Sequence, residues 1–439
     1  MPADYWSLTF DADGNVKDPG TATLIAQITS SGVTDLYLMS HGWGNDVDDA
    51  QHLYETMFSL LLTEPGFAPS ARFVGIFWPS IWFPDPTPAE LTGVAAAVSA
   101  GAPGQADAAV TGQSIAASLS QSMPDAAPAL TQMGNLIDTG LAQVAAGAGN
   151  EQQHTAALEQ FHRLLKQVFS GPVVATEDGG EGTLINSDNP KDDYQKLAVT
   201  MGSAPPAGDV QSLGDIFGKV WNGAKDALRV GSYFQMKARA GDVGQKGLGP
   251  FLEQLHKASP TTRVHLIGHS FGARLVSFTL AGISSASASP VASLTLLQGA
   301  FSHWAFTQAA DNPFKEPGAL CVYPDRVHGP MVATFTDSDW AVGIWYPKAS
   351  FLARQDVEGT DSAGRWDGMG KDGFQAVNPS GKVTLPLTSS PALSPGSFYQ
   401  VDANAVINDT SQSAFAGAHS DILKPEVAAL IIAASATQS

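Results

Sequence analysis

Short apolar runs, several of them β-branched, recur along the chain with helix-forming stretches between them. Asp35 to Ser40, Arg72 to Trp78, Val264 to Ile267, Ala292 to Leu297 and Met331 to Thr336 predict strands, since runs of this length without polar alternation suit a strand buried on both faces. Thr23 to Ser31, Val47 to Leu62, Ala273 to Leu280 and Ile422 to Ala434 predict helices, the second capped by Asp46 and the last with Pro425 in its first turns; Ala227 to Leu255 is a further helical region. Tyr5 to Phe10 and the residues beyond Asn15 flank Asp11-Ala12-Asp13-Gly14, whose Asp-Gly signals a hairpin near a sheet edge. That tetrapeptide also matches the start of a calcium loop, but the longer ligand series and terminal glutamate of an EF-hand do not follow, so a turn is expected.

Between the strand ending at Trp78 and the next helical region lies a different kind of sequence, Pro84 to Gly214. It opens Pro-Asp-Pro-Thr-Pro and continues rich in Ala, Gly and Ser, almost without basic residues until His154. Ala95 to Ala100, Ile115 to Leu119 and Leu130 to Ala146 suggest short apolar helices broken by Gly and Pro, while Asp178 to Gly182 and Ala204 to Gly208 read as exposed loops. An insertion of this size either folds as a cap or hangs free, and its Ala, Leu and Val content favours packing. After Met331 to Thr336, the segment Ala353 to Gln400 is rich in Gly, Asp, Ser and Pro and predicts an elaborated loop with short strands.

The chemistry is concentrated in Arg-Val-His-Leu-Ile-Gly-His-Ser-Phe-Gly-Ala-Arg, residues 263 to 274. A strand here turns abruptly into a helix, and Gly268 and Gly272 flank Ser270 where neighbouring backbone must come close. Ser270 would then stand exposed at a helix N-terminus, where the Phe271 N–H and the helix dipole favour developing negative charge. A second small-residue turn, His41-Gly42-Trp43-Gly44-Asn45, ends the strand at Ser40.

These two blocks resemble the nucleophile elbow and the oxyanion loop of α/β-hydrolase-fold serine esterases and lipases. With Trp78-Pro79-Ser80 they look like a bacterial branch of that superfamily; the similarity resumes around Ala227 to Leu255 and fades in between. The resemblance implies a mostly parallel α/β sheet flanked by helices over 1–83 and 215–439, with 84–214 as a mainly helical inserted cap or lid. It implies Ser270 as nucleophile, an acid just after a later strand and a histidine before the closing helix. Asp339 and His419 occupy those places, and Asp337 is the alternative acid, with Asp311 a more distant one. His303 and His328 precede the acid strand and are the less favoured candidates for the base. Trp43 and Phe271 would supply oxyanion N–H groups, with His41 bracing its loop. Phe301, Trp304 and Phe306, beyond the strand ending at Leu297, are candidate walls of an acyl pocket. The strand ending at Trp78 is expected beside the elbow strand, which would bring the insertion out on the face that presents Ser270.

Composition narrows the partners. The formal charge of −19, with only 23 Lys and Arg, argues against nucleic acid or anionic membrane surfaces. The single cysteine, Cys321, excludes an intramolecular disulfide framework and reads as a small buried residue. No His-Glu-x-x-His, Walker loop or post-strand Gly-x-Gly-x-x-Gly occurs, so no metal or organic cofactor is implied. Met-Pro-Ala-Asp-Tyr-Trp lacks the basic region and apolar core of a signal peptide, which makes a cytoplasmic location the expectation, and no apolar run is of membrane-spanning length. The reading is an esterase or lipase-like hydrolase of small hydrophobic or acyl esters. Acyltransferase, thioesterase and peptidase chemistry would use the same residues, and a non-catalytic binding protein is the reading of a different class.

Overall fold

A computed structural model describes residues 3–80, 111–169, 187–201, 212–345, 367–389, 391–411, 413 and 416–436. In chain order these form β1 (Trp6–Phe10), β2 (Val16–Asp18), α1 (Thr21–Ser30), β3 (Asp35–Ser40), α2 (Val47–Thr63), β4 (Arg72–Phe77), α3 (Gly112–Ser122), α4 (Ala127–Ala145), α5 (Glu151–Phe169), α6 (Pro190–Met201) and α7 (Leu213–Asp242). They continue as a π-helical turn (Val243–Leu248), α8 (Gly249–Ala258), β5 (Arg263–His269), α9 (Phe271–Gly282), β6 (Val291–Leu297), β7 (Met331–Phe335), β8 (Ser380–Thr384), β9 (Phe398–Asp402) and α10 (Pro425–Ser435). Two compact units divide the chain. The first is Met1–Ser80, Met236–Pro347 and Asp361–Ser439, and the second is Ile81–Gln235 with Lys348–Thr360.

The first unit is an α/β structure with one nine-stranded sheet in the order β2-β1-β4-β3-β5-β6-β7-β9-β8, parallel except for the β1–β2 hairpin at its edge. The Asp11 carboxylate makes that turn, accepting the N–H groups of Asp13 at 3.0 Å and Asn15 at 2.9 Å. One expectation about the order is overturned. β4, which leads to Trp78, does not neighbour the elbow strand β5; β3 lies between them, pairing with β4 on one side and β5 on the other. The reason is that strand adjacency is set by which apolar faces fit together, and consecutive strands need not sit side by side.

Alternation along each strand sorts its side chains to two faces. Tyr37 and Met39 of β3, Phe73 of β4, Ile267 of β5, Leu297 of β6, Val332 of β7 and Val401 of β9 join Tyr54 and Phe58 of α2 and Leu430 and Ile431 of α10 in one buried cluster. Each large side chain removed from water in this way contributes about 1.5–3 kcal/mol. The opposite face carries α9, packed on β3, β5 and β6 and against the π-helical turn. Local signals set the helix ends: Asp46 and Asp49 form a reciprocal capping box at α2. Pro425 is the first residue of α10, later than the apolar run begins, because proline fits a first helical turn and no earlier residue can place it there.

The registers bring three chain exits to one level. Ser40 stands beside Gly268, and His269 beside Leu297, so the loops after β3, β5 and β6 leave the carboxyl edge of the sheet together.

The second unit is helical in its described part, α3 to α6 and the start of α7. Residues 84–214 lie inside the first segment of this unit, Ile81–Gln235. Ile115 to Leu119 lies inside α3, and Leu130 to Ala146 corresponds to α4; Ala95 to Ala100, Asp178 to Gly182, Ala204 to Gly208 and, of the segment Ala353 to Gln400, residues 353–366 and 390 lie outside the described residues. Glycine does not break α4 as the sequence suggests. Gly140 lies flat against the buried Trp221 ring, and a Cβ there would run into the indole, so the glycine serves close helix packing.

Candidate active site

Ser270 joins β5 to α9 with φ 57° and ψ −122°, a conformation that costs a non-glycine residue about 1–3 kcal/mol. The surroundings hold it there. Its N–H donates to the Leu297 carbonyl at 3.1 Å, and its own carbonyl accepts from Ala273 N–H at 3.1 Å and Ala300 N–H at 3.2 Å. The flanking glycines are there for space: a Cβ on Gly268 would lie 2.5 Å from Ala273 Cα, and one on Gly272 would collide with the Ser40 and His41 carbonyl oxygens. Phe271 is the first residue of α9, and N–H groups of a first helical turn point outward along the axis toward anions.

The loop after β3 lies against this elbow. A Cβ on Gly42 would come within 2.6 Å of Ser270 Cβ and 3.2 Å of its Oγ, which puts Gly42 beside the hydroxyl. The Trp43 ring leans on Phe271, with centroids 6.0 Å apart. His41 is a brace. Its Nδ1 lies 2.9 Å from the Gly42 carbonyl and must donate, so Nε2 accepts from Trp78 N–H at 3.4 Å, while the indole N–H of Trp78 donates to the His41 carbonyl at 3.1 Å. The Tyr54 hydroxyl accepts His41 N–H at 3.0 Å and donates to the Ile76 carbonyl. Burial drives the His41 pKa down to about 4, so the ring is neutral and fully occupied as a spacer between loop and strand.

Asp339 and His419 meet across two loops. Asp339 leaves β7 in a turn, and its backbone bridges Gly417, with Ala418 N–H donating to the Ser338 carbonyl at 2.8 Å and Trp340 N–H to the Ala416 carbonyl at 3.2 Å. His419 Nδ1 thereby comes to 2.8 Å from Asp339 Oδ2. A carboxylate at Nδ1 selects the Nδ1–H tautomer and leaves the lone pair on Nε2. Downstream, Asp421 fastens the loop by accepting N–H groups from Asn408 at 3.1 Å and Asp409 at 3.0 Å. The link to the elbow is direct: His269, the residue before Ser270, donates from Nε2 to the His419 carbonyl at 2.9 Å, with the two rings 4.9 Å apart. Burial, then the neighbouring His419 ring, lowers the His269 pKa to about 3, so it too is neutral.

Asp337, the alternative acid, faces solvent with a side chain 79% exposed and pairs with Lys371 at 3.0 Å. Asp311 is exposed. His303 is committed elsewhere, to Asp372 at 2.7 Å, and His328 to the Ser289 carbonyl at 3.0 Å. Phe301 is wholly buried, and Phe306 packs on the Phe374 and Phe398 rings at 5.6 and 5.7 Å; of the three aromatics only Trp304 keeps part of its surface exposed. Among the described residues no three His, Cys, Asp or Glu side chains are grouped to hold a metal ion, and no helix is long and apolar enough to cross a membrane.

Sequence reasoning passed over Gln298. It is fully buried with φ 48°, and its Nε2 donates to Asp339 Oδ2 at 2.9 Å and to the Gly370 carbonyl at 3.3 Å. The available signal was a polar residue directly after an unbroken apolar strand. Compared with known protein families, curated proteins and solved structures, the chain matches none of them.

Proposed function

We propose that the chain is a serine hydrolase of carboxylic esters, with Ser270 as nucleophile, His419 as general base and then acid, and Asp339 holding the imidazole. The observation that carries this reading is that a strained, backbone-locked Ser270 and a buried Asp339–His419 pair converge in one unit, tied by the bond from His269 to the His419 carbonyl. In this mechanism Ser270 Oγ attacks the ester carbon as its proton passes to His419 Nε2. The Trp43 and Phe271 N–H groups stabilise the tetrahedral oxyanion, and His419 returns the proton to the leaving alcohol. Water then attacks the acyl-enzyme, with His419 again taking the proton and releasing it to Ser270. The hydrolase resemblance supports the same assignment through the Gly268-His269-Ser270-Phe271-Gly272 and His41-Gly42-Trp43-Gly44 blocks.

The test is labelling with a fluorophosphonate and mapping of the modified residue. Modification of Ser270, with loss of both labelling and p-nitrophenyl acetate hydrolysis in a folded Ser270→Ala variant, is the expected result; labelling elsewhere or retained hydrolysis overturns the reading. With it goes the proposal that the inserted segment acts as a lid and selects among acyl groups. Exchange of residues 86–212 for a short Gly-Ser bridge should then change the chain-length preference among p-nitrophenyl esters, and an unchanged profile in a folded variant removes that role.

A further inference from the structure

We infer that Gln298 is a positioning residue that fixes the Asp339 carboxylate in the orientation His419 requires. It acts through Asp339, and only the expected change in kcat rests on the function proposed above.

A buried primary amide offers two donors and an acceptor with two lone pairs, and here they are committed in one direction only. Both neighbours of Nε2, the Asp339 carboxylate at 2.9 Å and the Gly370 carbonyl at 3.3 Å, are acceptors. Oε1 accepts the Thr334 hydroxyl at 2.9 Å, and the same Thr334 oxygen accepts the Gln298 backbone N–H at 3.0 Å. A flipped amide would set oxygen against carboxylate, so the side chain has a single satisfied orientation. The backbone is set to the same end. Gln298 holds a left-handed φ of 48° where β6 ends, a conformation that glycine would adopt without strain, and it brings N–H and side chain together onto Thr334 of β7.

Among the described residues Asp339 receives three donors. Oδ1 takes Val342 N–H at 3.0 Å, and Oδ2 takes both His419 Nδ1 at 2.8 Å and Gln298 Nε2 at 2.9 Å. Gln298 therefore shares the very oxygen that orients the imidazole. Without it, one side of Oδ2 is bare in a buried site, and the carboxylate is held by a single bond at each oxygen. Among the described residues, the charged and titratable groups around the pair include His269 against the His419 ring, His41 beyond it, the Asp337–Lys371 pair and the Asp421–Lys424 pair; none of these donates to Asp339.

The experiment compares wild type, Gln298→Met, which keeps length and volume but has no donor, and Asp339→Asn. An imidazole N–H bonded to a carboxylate gives a low-field proton resonance, which should be present in wild type and absent in Asp339→Asn. In Gln298→Met, with unchanged circular dichroism, it should broaden beyond detection, while kcat for p-nitrophenyl acetate drops about tenfold and KM stays within about twofold, the low end of the effect of one hydrogen bond to a buried charge. An unaltered resonance, or wild-type kcat, overturns the inference. If Gln298→Met does not fold, Thr334→Val carries the test, since it removes the hydroxyl that orients the amide: the resonance must broaden, and an unchanged one refutes the role. Should wild type neither hydrolyse esters nor react with fluorophosphonate while the resonance still depends on Gln298, the proposed function fails and the positioning role stands.

Discussion

Asp339→Asn and Asp337→Asn, two changes two residues apart, should differ by orders of magnitude. At 339 the buried carboxylate accepts three N–H groups, two at Oδ2 and one at Oδ1. An asparagine has one acceptor end. With its oxygen at the Oδ2 place its NH2 meets Val342 N–H donor to donor; turned round, it meets Gln298 Nε2 and can bond His419 only through a bare Nδ1 lone pair. That second arrangement moves the imidazole proton to Nε2, where it blocks acceptance of the Ser270 proton. Either way at least one buried donor is orphaned, a loss of about 1–3 kcal/mol in urea-unfolding free energy. The altered tautomer should lower kcat for p-nitrophenyl acetate by about 10²–10⁴-fold. At 337 the exposed carboxylate loses only its pairing with Lys371, worth at most about 1 kcal/mol, and kcat should stay within about twofold. Stopped-flow or plate-reader kinetics on both variants, with matched circular dichroism, decide the matter. Wild-type kcat in Asp339→Asn, or a large loss in Asp337→Asn, would refute the assignment of the acid.

Gly42→Ala should abolish fluorophosphonate labelling or slow it at least about hundredfold with the fold retained, since the new methyl would sit 2.6 Å from Ser270 Cβ and must displace the loop that lies on the hydroxyl; labelling at the wild-type rate would show that this loop does not crowd Ser270. Stability should fall on acidification below about pH 6.5, because His41, His162, His265 and His269 all have folded pKa values lowered first by burial, so the unfolded chain binds protons that the folded one refuses. For His41 and His269 the loss extends down to about pH 4 and about pH 3 respectively, and urea midpoints that are flat between pH 7 and 5 would contradict it. Asp35 has the same sign over a lower window. Burial alone would raise its carboxyl, but hydrogen bonds from His265 and Thr34 and the Arg263 charge bring it to about 2, so its contribution is complete above about pH 4 and lost toward pH 2; Asp35→Asn should destabilise at pH 7 and matter least at pH 2.

What the sequence by itself determined is local. Strand β3 begins and ends at the residues its apolar run predicts, α2 starts where Asp46 caps it, and the Gly268-His269-Ser270-Phe271-Gly272 turn follows from the need for two residues without Cβ where backbone meets backbone. These features depend on contacts between near neighbours in the chain or on one face of one element, so a window of residues carries them. Asp337 and Asp339 are alike in such a window. Only the tertiary structure separates them, because the loop carrying His419 pairs with Asp339 from 80 residues away and leaves Asp337 to solvent and Lys371. Gln298 is of the same kind: its bonds go to Thr334 and Asp339, on β7 and the turn after it, and to Gly370, on a separate segment, and only the fold delivers these to one buried point. The insertion of β3 between β4 and β5 likewise depends on how helices cover both faces of the sheet. Such pairings are chosen by the burial of whole surfaces and by the satisfaction of buried polar groups, and neither has a signature at a fixed spacing along the chain.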